Sequence, residues 1–309
     1  MEIAGRQKTI VKTILAPRMG LRMLQEAAIK ALIYLILTIG AVLFTAPWAW
    51  MVSASFQPLG DIFDWPPNWI PEHFTFNNYI RFLQTEGLGR LFGNSGFVAS
   101  SVTLLQLFFN SLAAYTYAKR RFPGRDFLFI LMLSTLMIPG QVFLIPSYLI
   151  LQHIPLFGGN DILGRGGYGW LDSYWGLIVP GAVSTYGIFL LRQYMKTILD
   201  ELFDAARMDG YSDWEIFWKV ALPIALPAVA TTVILNFILL WNEFLFAVVL
   251  ITDEANRTLP LGIQRFIGDT QEDIGMIATG LMIAIIPVIV VYAFFSEKLI
   301  QGMTAGAVK

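Results

Sequence analysis

The stretch Glu201-Leu202-Phe203-Asp204-Ala205-Ala206-Arg207-Met208-Asp209-Gly210-Tyr211-Ser212-Asp213-Trp214-Glu215-Ile216-Phe217-Trp218-Lys219 runs directly into the apolar Val220-Ala221-Leu222-Pro223. Up to Asp209 its residues favour a short helix, with acids placed early, where the helix dipole prefers them. Gly210 is a natural C-terminal stop, because it takes the positive φ that a Cβ disfavours. Ser212 or Asp213 can cap a second helix, on which Trp214, Phe217 and Trp218 fall at i, i+3 and i+4. That aromatic face is expected to pack on a membrane domain or lie at its interface. Ala205 and Ala206 have minimal side chains, which suits a helix seated deep in a groove of another protein.

The rest of the chain explains why such a loop stands out. Of 309 residues, 56% are hydrophobic and only 14% charged, with a mean hydropathy of +0.62. Globular chains run at about 45–50% apolar and ~25% charged, so a disordered or nucleic-acid-binding protein is excluded and a membrane is the expected solvent. A bilayer core needs roughly 20 consecutive apolar residues in a helix, since no backbone group can go unbonded there. Six stretches free of Asp, Glu, Lys and Arg meet this need: 32–51, 94–118, 127–149, 174–191, 220–241 and 274–296. None alternates like a strand, so a β-barrel is a poor fit. The expected fold is an all-α integral membrane protein of six transmembrane helices. A mobile arm over 1–30 precedes the six-helix domain over 31–309.

Orientation follows from the basic residues, since cytoplasmic loops carry the excess of Lys and Arg. Of the 21, 16 fall in the arm, around 119–125, between 192 and 219, and at the C-terminal end, against 5 on the other side. Both termini, the 192–219 loop and the tail 297–309 are therefore expected in the cytoplasm, and the chain in the cytoplasmic membrane. The long charged leader and long apolar run of the first span argue for a retained anchor rather than a cleaved signal.

The chemical inventory is mostly exclusions. With no cysteine and only His73 and His153, far apart, no metal site is expected and no catalytic residue is nominated. Gly164-Arg165-Gly166-Gly167-Tyr168-Gly169 satisfies the dinucleotide pattern G-x-G-x-x-G, but it lies between two membrane helices rather than between a strand and a helix. It reads as a flexible glycine-rich loop. No Gly-Lys dipeptide exists, so no phosphate-binding Walker loop is present. Ion-coupled carriers place Asp, Glu, His or Lys inside helices. Here the spans hold amides and hydroxyls instead, among them Gln106, Asn110, Gln141 and Asn236. With Asn242 and Glu243 at a helix end, these are candidates for a translocation pathway, though such groups more often join helices to one another. An ion-coupled secondary transporter of a small polar solute is the alternative reading, weakened by these charge-free spans.

Taken together, Asp204-Ala205-Ala206, Gly210 four positions later, and Val220-Ala221-Leu222-Pro223 nine residues beyond closely resemble the E-A-A-x-x-x-G-x9-I-x-L-P signature of permease subunits of binding-protein-dependent ABC importers. Asp204 stands for Glu and Val220 for Ile. Met137-Ile138-Pro139-Gly140-Gln141, Pro146, Trp241-Asn242-Glu243-Phe244-Leu245-Phe246 and the tail 301–308 look like the carbohydrate branch, the maltose- and glycerol-phosphate-type second permease subunits. The resemblance implies a type I importer permease fold and alternating access. It also implies a second homologous permease, a pair of identical ATPase subunits that bind ATP and Mg, and an extracytoplasmic sugar-binding protein as partners. This chain itself needs no cofactor. The resemblance gives ATPase docking to Asp204, Ala205, Ala206, Asp209 and Gly210, with Leu222 and Pro223 closing the motif. The tail residues Gly302, Met303, Thr304, Ala305 and Gly306 are a second ATPase contact by the same analogy. The loop from His153 to Asp172, glycine-rich over 158–169, is longer than a minimal connection and is expected to reach toward the binding protein.

Overall fold

A computed structural model describes the backbone of residues 2–264 and 273–305, and the side chains of 25–264 and 273–296. Among the described residues every regular element is a helix. The chain divides into two compact units, Met1–Asn78 and Tyr79–Lys309.

In the first unit, α1 runs unbroken over Glu2–Ser55 and is followed by the short α2 over Leu59–Ile62. The arm expected over 1–30 is thus helical and continuous with the first span. Helix formers such as Met23, Leu24, Gln25, Glu26, Ala27 and Ala28 carry the helix across the charge boundary. Beyond α2 the chain folds back on itself. Asn78 Nδ2 donates to the carbonyls of Ser55 and Gln57 at 3.1 and 2.8 Å, and Phe56, Phe74 and Phe76 form an aromatic cluster.

The chain passes through α3 (Asn77–Leu83) into the second unit, which is built around α4 (Leu88–Lys119). After a basic turn come α5 (Arg125–Ser134) and α6 (Leu144–Gln152), then α7 (Tyr174–Gly181) and α8 (Thr185–Thr197). The charged loop contributes α9 (Asp200–Met208) and α10 (Asp213–Ile216), which lead through a π turn into α11 (Leu222–Ile224) and α12 (Leu226–Trp241). Last come α13 (Leu245–Leu250), α14 (Leu259–Ile263) and α15 (Ile274–Ala305). Helix α4 packs against α7, α8, α12 and α14, and α12 packs against α15. Small residues permit close approach: a Cβ on Gly181 would stand 3.0 Å from Val102 Cγ1, and one on Gly187 would stand 2.5 Å from Asn110 Nδ2.

Among the described residues four helices are long and apolar enough to cross a membrane, and two bent pairs bring the number to six if each pair is one span. Two of the apolar stretches read from the sequence are bent. Over 127–149 the axis turns by 94° between Met137 and Gly140, because Pro139 holds Ile138 in extended backbone and offers no N–H. Over 220–241 it turns by 77° at Ala225, ahead of Pro227 in the first turn of α12. The stretch 174–191 is also interrupted, between Gly181 and Thr185 after Pro180, and restarts with Ser184 Oγ accepting from Gly187 N.

Candidate functional site

The loop that joins α8 to α12 is two short helices closed by complementary caps. Gly210 sits at φ +86, its N–H donates to the Arg207 carbonyl at 3.0 Å, and Tyr211 N–H donates to the Ala206 carbonyl at 3.0 Å. This Schellman pairing satisfies carbonyls that the end of α9 would otherwise leave open. Two residues on, Ser212 and Glu215 form a reciprocal capping box that starts α10.

The two faces of α9 differ. Phe203 and Ala206 are buried against Tyr115, Leu191, Met195, Ile216 and Phe217, whereas Asp204, Ala205 and Asp209 are exposed and Met208 is 89% exposed. Burying a Phe side chain contributes about 1.5–3 kcal/mol, so Phe203 holds the underside of α9 to the bundle. The two adjacent alanines therefore do different things. Ala206 fits the loop to its own chain, and only Ala205 is presented outward. Asp204 is paired with Arg207 at 2.7 Å. In the aromatic trio, Phe217 is buried against Tyr115, while Trp214 and Trp218 remain half-exposed and Trp218 stacks on Phe108. Leu222 is partly buried against the same core, and Pro223 lies in the first turn of α11.

The loop is also tied to the end of α4 by contacts the sequence does not announce. Lys119 Nζ, almost fully buried, donates to the Ile198 carbonyl and to Asp200 Oδ1, both at 2.6 Å, and lies 4.9 Å from the Phe203 ring centre. The hydrogen bond from Lys119 holds the Asp200 carboxyl below the usual carboxylate range. Arg120 pairs with Asp213 at the start of α10. Arg192 is buried as well: its guanidinium stacks 3.7 Å from the Phe129 ring centre and its Nε donates to the Tyr117 carbonyl at 3.2 Å. Both helices of the loop are thus fixed, at their first turns, to one end of the central helix.

The polar residues nominated for a pathway do not converge on one site. Gln106 Nε2 donates to the Gly181 carbonyl at 2.7 Å and Asn110 Oδ1 accepts from Ser184 N–H at 3.0 Å. These two buried amides satisfy the backbone opened by the interruption between α7 and α8. Asn236 is buried on α12. Gln141 is exposed in the turn after Pro139, and Asn242 is exposed and donates back to the Ile238 carbonyl. Glu243 accepts from Phe246 N–H at 2.9 Å and lines a cavity of about 230 Å³ with Ser95, Leu177, Pro180, Phe246 and Thr258.

At the end opposite the charged loop, the connection over 153–172 is not the slack tether its glycines suggested. Asn160 Nδ2 donates to the carbonyls of Gln152 and Ile154, and its Oδ1 accepts from Gly167 N–H at 2.7 Å. A Cβ on Gly164 would overlap the His153 carbonyl oxygen, and one on Gly169 would overlap that of Leu151. Those glycines are required by backbone packing on backbone, with no nucleotide-binding context around them. Asp172 closes the connection by accepting from the N–H groups of Thr252 and Asp253 and from the Thr252 hydroxyl. Burial pushes its pKa up, but these hydrogen bonds outweigh burial and hold it below the ordinary value. Asn94 ties the same region together through the carbonyls of Ala255 and Arg257 and the Tyr174 hydroxyl. None of these clamps carries a periodic signal: the partners of Asn160 lie six to eight residues away at no regular spacing, and those of Asp172 and Asn94 lie 80 residues or more along the chain.

Among the described residues no group of His, Cys, Asp or Glu could hold a metal ion. In the tail, Gly302, Met303, Thr304 and Ala305 fall in the last turns of α15, without described side chains, and Gly306 lies outside the described residues.

An all-helical bundle with a capped charged loop inserted before a bent span is the architecture of an importer permease. Residues 107–303 match the family model described as "Binding-protein-dependent transport system inner membrane component", and the chain belongs to this family. The probable ABC transporter permease protein YurM of Bacillus subtilis is 33% identical over 269 residues, covering 85% of this chain and 83% of that protein. The arabinooligosaccharides transport system permease protein AraQ of Halalkalibacterium halodurans is 30% identical over 287 residues, covering 89% and 96%. A chain of a bacterial ABC transporter that imports the acidic polysaccharide alginate superposes with a TM-score of 0.72 at 26% identity, covering 85% of this chain and 93% of that one. The relatives are transporter permease subunits rather than enzymes.

Proposed function

We propose that this chain forms half of the translocation pathway of an ATP-driven sugar importer. In this reading each bent pair is one crossing, giving six, and both termini lie in the cytoplasm with the basic loop. ATP and Mg bind to a pair of ATPase subunits, and a second homologous permease completes the pore. An extracytoplasmic binding protein delivers the sugar. The observation that carries the reading is the build of 198–219: α9 is sealed to the chain's own core by Phe203 and Ala206 and turns Asp204, Ala205 and Met208 outward. A helix so mounted passes a push from an ATPase to α4 as a rigid body, through Lys119–Asp200 and Arg120–Asp213. ATP then biases one of two packed states, which is how alternating access is driven. The tail at the end of α15 is proposed as a second ATPase contact. Glu243, at the wall of its cavity, is the pathway residue best placed to meet a sugar hydroxyl. The sugar assignment is supported by relatives such as AraQ and by the diacetylchitobiose uptake permease NgcG of Streptomyces coelicolor.

The experiment is reconstitution with the partner subunits and binding protein in proteoliposomes. Sugar uptake that requires ATP and the binding protein supports the reading, whereas uptake by this chain alone under an ion gradient contradicts it. Sidedness is read separately. The natural chain has no cysteine, so Arg121→Cys and Ile162→Cys should label from opposite faces of the membrane, Arg121→Cys from the cytoplasm.

A further inference from the structure

The basic turn after α4 and the start of α9 enclose a polar cavity of about 600 Å³, a space separate from the one beside Glu243. Lys119, Arg120, Arg121, Arg125 and Arg207 line it, with Asp200 and Asp204 as the acids in the wall. Most of this charge is spoken for. Lys119 pairs with Asp200, Arg120 with Asp213, Arg125 with Asp126 and Arg207 with Asp204. Arg121 is exposed and has no ion pair among the described residues. The wall therefore has five cations against two acids of its own, Asp213 and Asp126 outside it pair with Arg120 and Arg125, and Arg121 is left as a cation for a singly charged phosphodiester. Guanidinium groups recognise such oxygens in a planar, bidentate geometry.

The wall also continues into an apolar surface. Helix α5 begins at Arg125, and Phe127, Leu128, Ile130 and Leu131 on its next turns are exposed. A headgroup held by the arginines would leave its acyl chains beside these side chains. Basic pockets of this kind at the cytoplasmic ends of spans suit phospholipid headgroups.

We propose that this cavity binds the phosphodiester headgroup of an anionic phospholipid from the inner leaflet, next to the loop that meets the ATPase. The proposal rests on the orientation given above, but its test does not. The complex purified in detergent is offered dioleoyl-phosphatidylglycerol or dioleoyl-phosphatidylcholine, and retained lipid is counted by native mass spectrometry. The natural chain should retain phosphatidylglycerol in preference. Arg121→Gln should weaken retention about fivefold, as expected for one interfacial cation, and Arg121→Lys should restore most of it. Equal retention by the natural chain and Arg121→Gln overturns the proposal. So does displacement of the lipid by excess inorganic phosphate that itself stays bound, which would make the site one for a free anion. Loss of the ATPase subunits from the Arg121→Gln complex with lipid retention unchanged would also overturn it, in favour of a protein contact. Because binding is read in detergent, a wrong orientation would appear only in the cysteine labelling.

Discussion

Two glycines in left-handed backbone, Gly169 at φ +60 and Gly210 at φ +86, lie on connections that cap opposite ends of the bundle. A Cβ on Gly210 meets nothing within 4 Å, whereas one on Gly169 would overlap the carbonyls of Leu151 and Gln152. Gly210 is thus needed only for its dihedral angle, at the tip of a loop whose outer face is free. Gly169 is needed for its dihedral angle and for space, in a connection folded against its own strand of backbone. One end of the bundle leaves a helix face exposed. The other is built to hold its own shape.

The largest effect should therefore come from Gly169→Ala, which adds a collision with fixed backbone to an unfavourable φ and should cost about 3 kcal/mol or more. Thermal unfolding of the purified complex should show the loss as a clear fall in Tm. Next comes Lys119→Met, which removes a buried ammonium from the Ile198 carbonyl and from Asp200. A cost of about 1.5–3 kcal/mol is expected for charged hydrogen bonds, and limited proteolysis should find the 198–219 loop more readily cut. Gly210→Ala should cost only about 1 kcal/mol, and Gly210→Asn less still. If Gly210→Ala destabilised the protein as much as Gly169→Ala, the distinction between the two ends would fail.

The smallest effect concerns protons. Asp172 and Asp200 are both held below the ordinary carboxylate value by hydrogen bonds. A depressed folded-state pKa means stability that is present above the unfolded value, about 3.9, and lost as pH falls through the folded one. Between pH 7 and 5 both clamps should stay charged, and Tm should be flat from this source. Asp172→Asn should lower Tm slightly and by the same amount at both pH values. A loss confined to pH 7 would contradict the assignment.

The same contrast explains what was legible in the sequence. The 198–219 loop could be read because its rules are local: Gly210 ends one helix, Ser212 and Glu215 start the next, and the partners lie within five residues. Its anchoring could not, since Lys119 and Asp200 are 81 residues apart, and nothing local separates the buried Ala206 from the exposed Ala205. The glycines of 158–169 were visible, but their purpose was not. Flexible and tightly folded glycine loops share a composition, and only the carbonyl contacts of His153 and Leu151 distinguish them. Hydropathy marks the apolar stretches but not the bends at Pro139 and ahead of Pro227. Averaging over a window hides a single residue that cannot donate a hydrogen bond.

The central claim, that the exposed face of α9 couples an ATPase to transport, is tested most directly by Ala205→Phe measured against Ala206→Phe in reconstituted importers. Ala205→Phe should leave the permease folded, with unchanged Tm, while sugar uptake per ATP hydrolysed falls at least tenfold. Ala206→Phe should instead lower Tm by overpacking the core around Phe203 and Tyr115. Normal uptake by a stably folded Ala205→Phe importer would contradict the account.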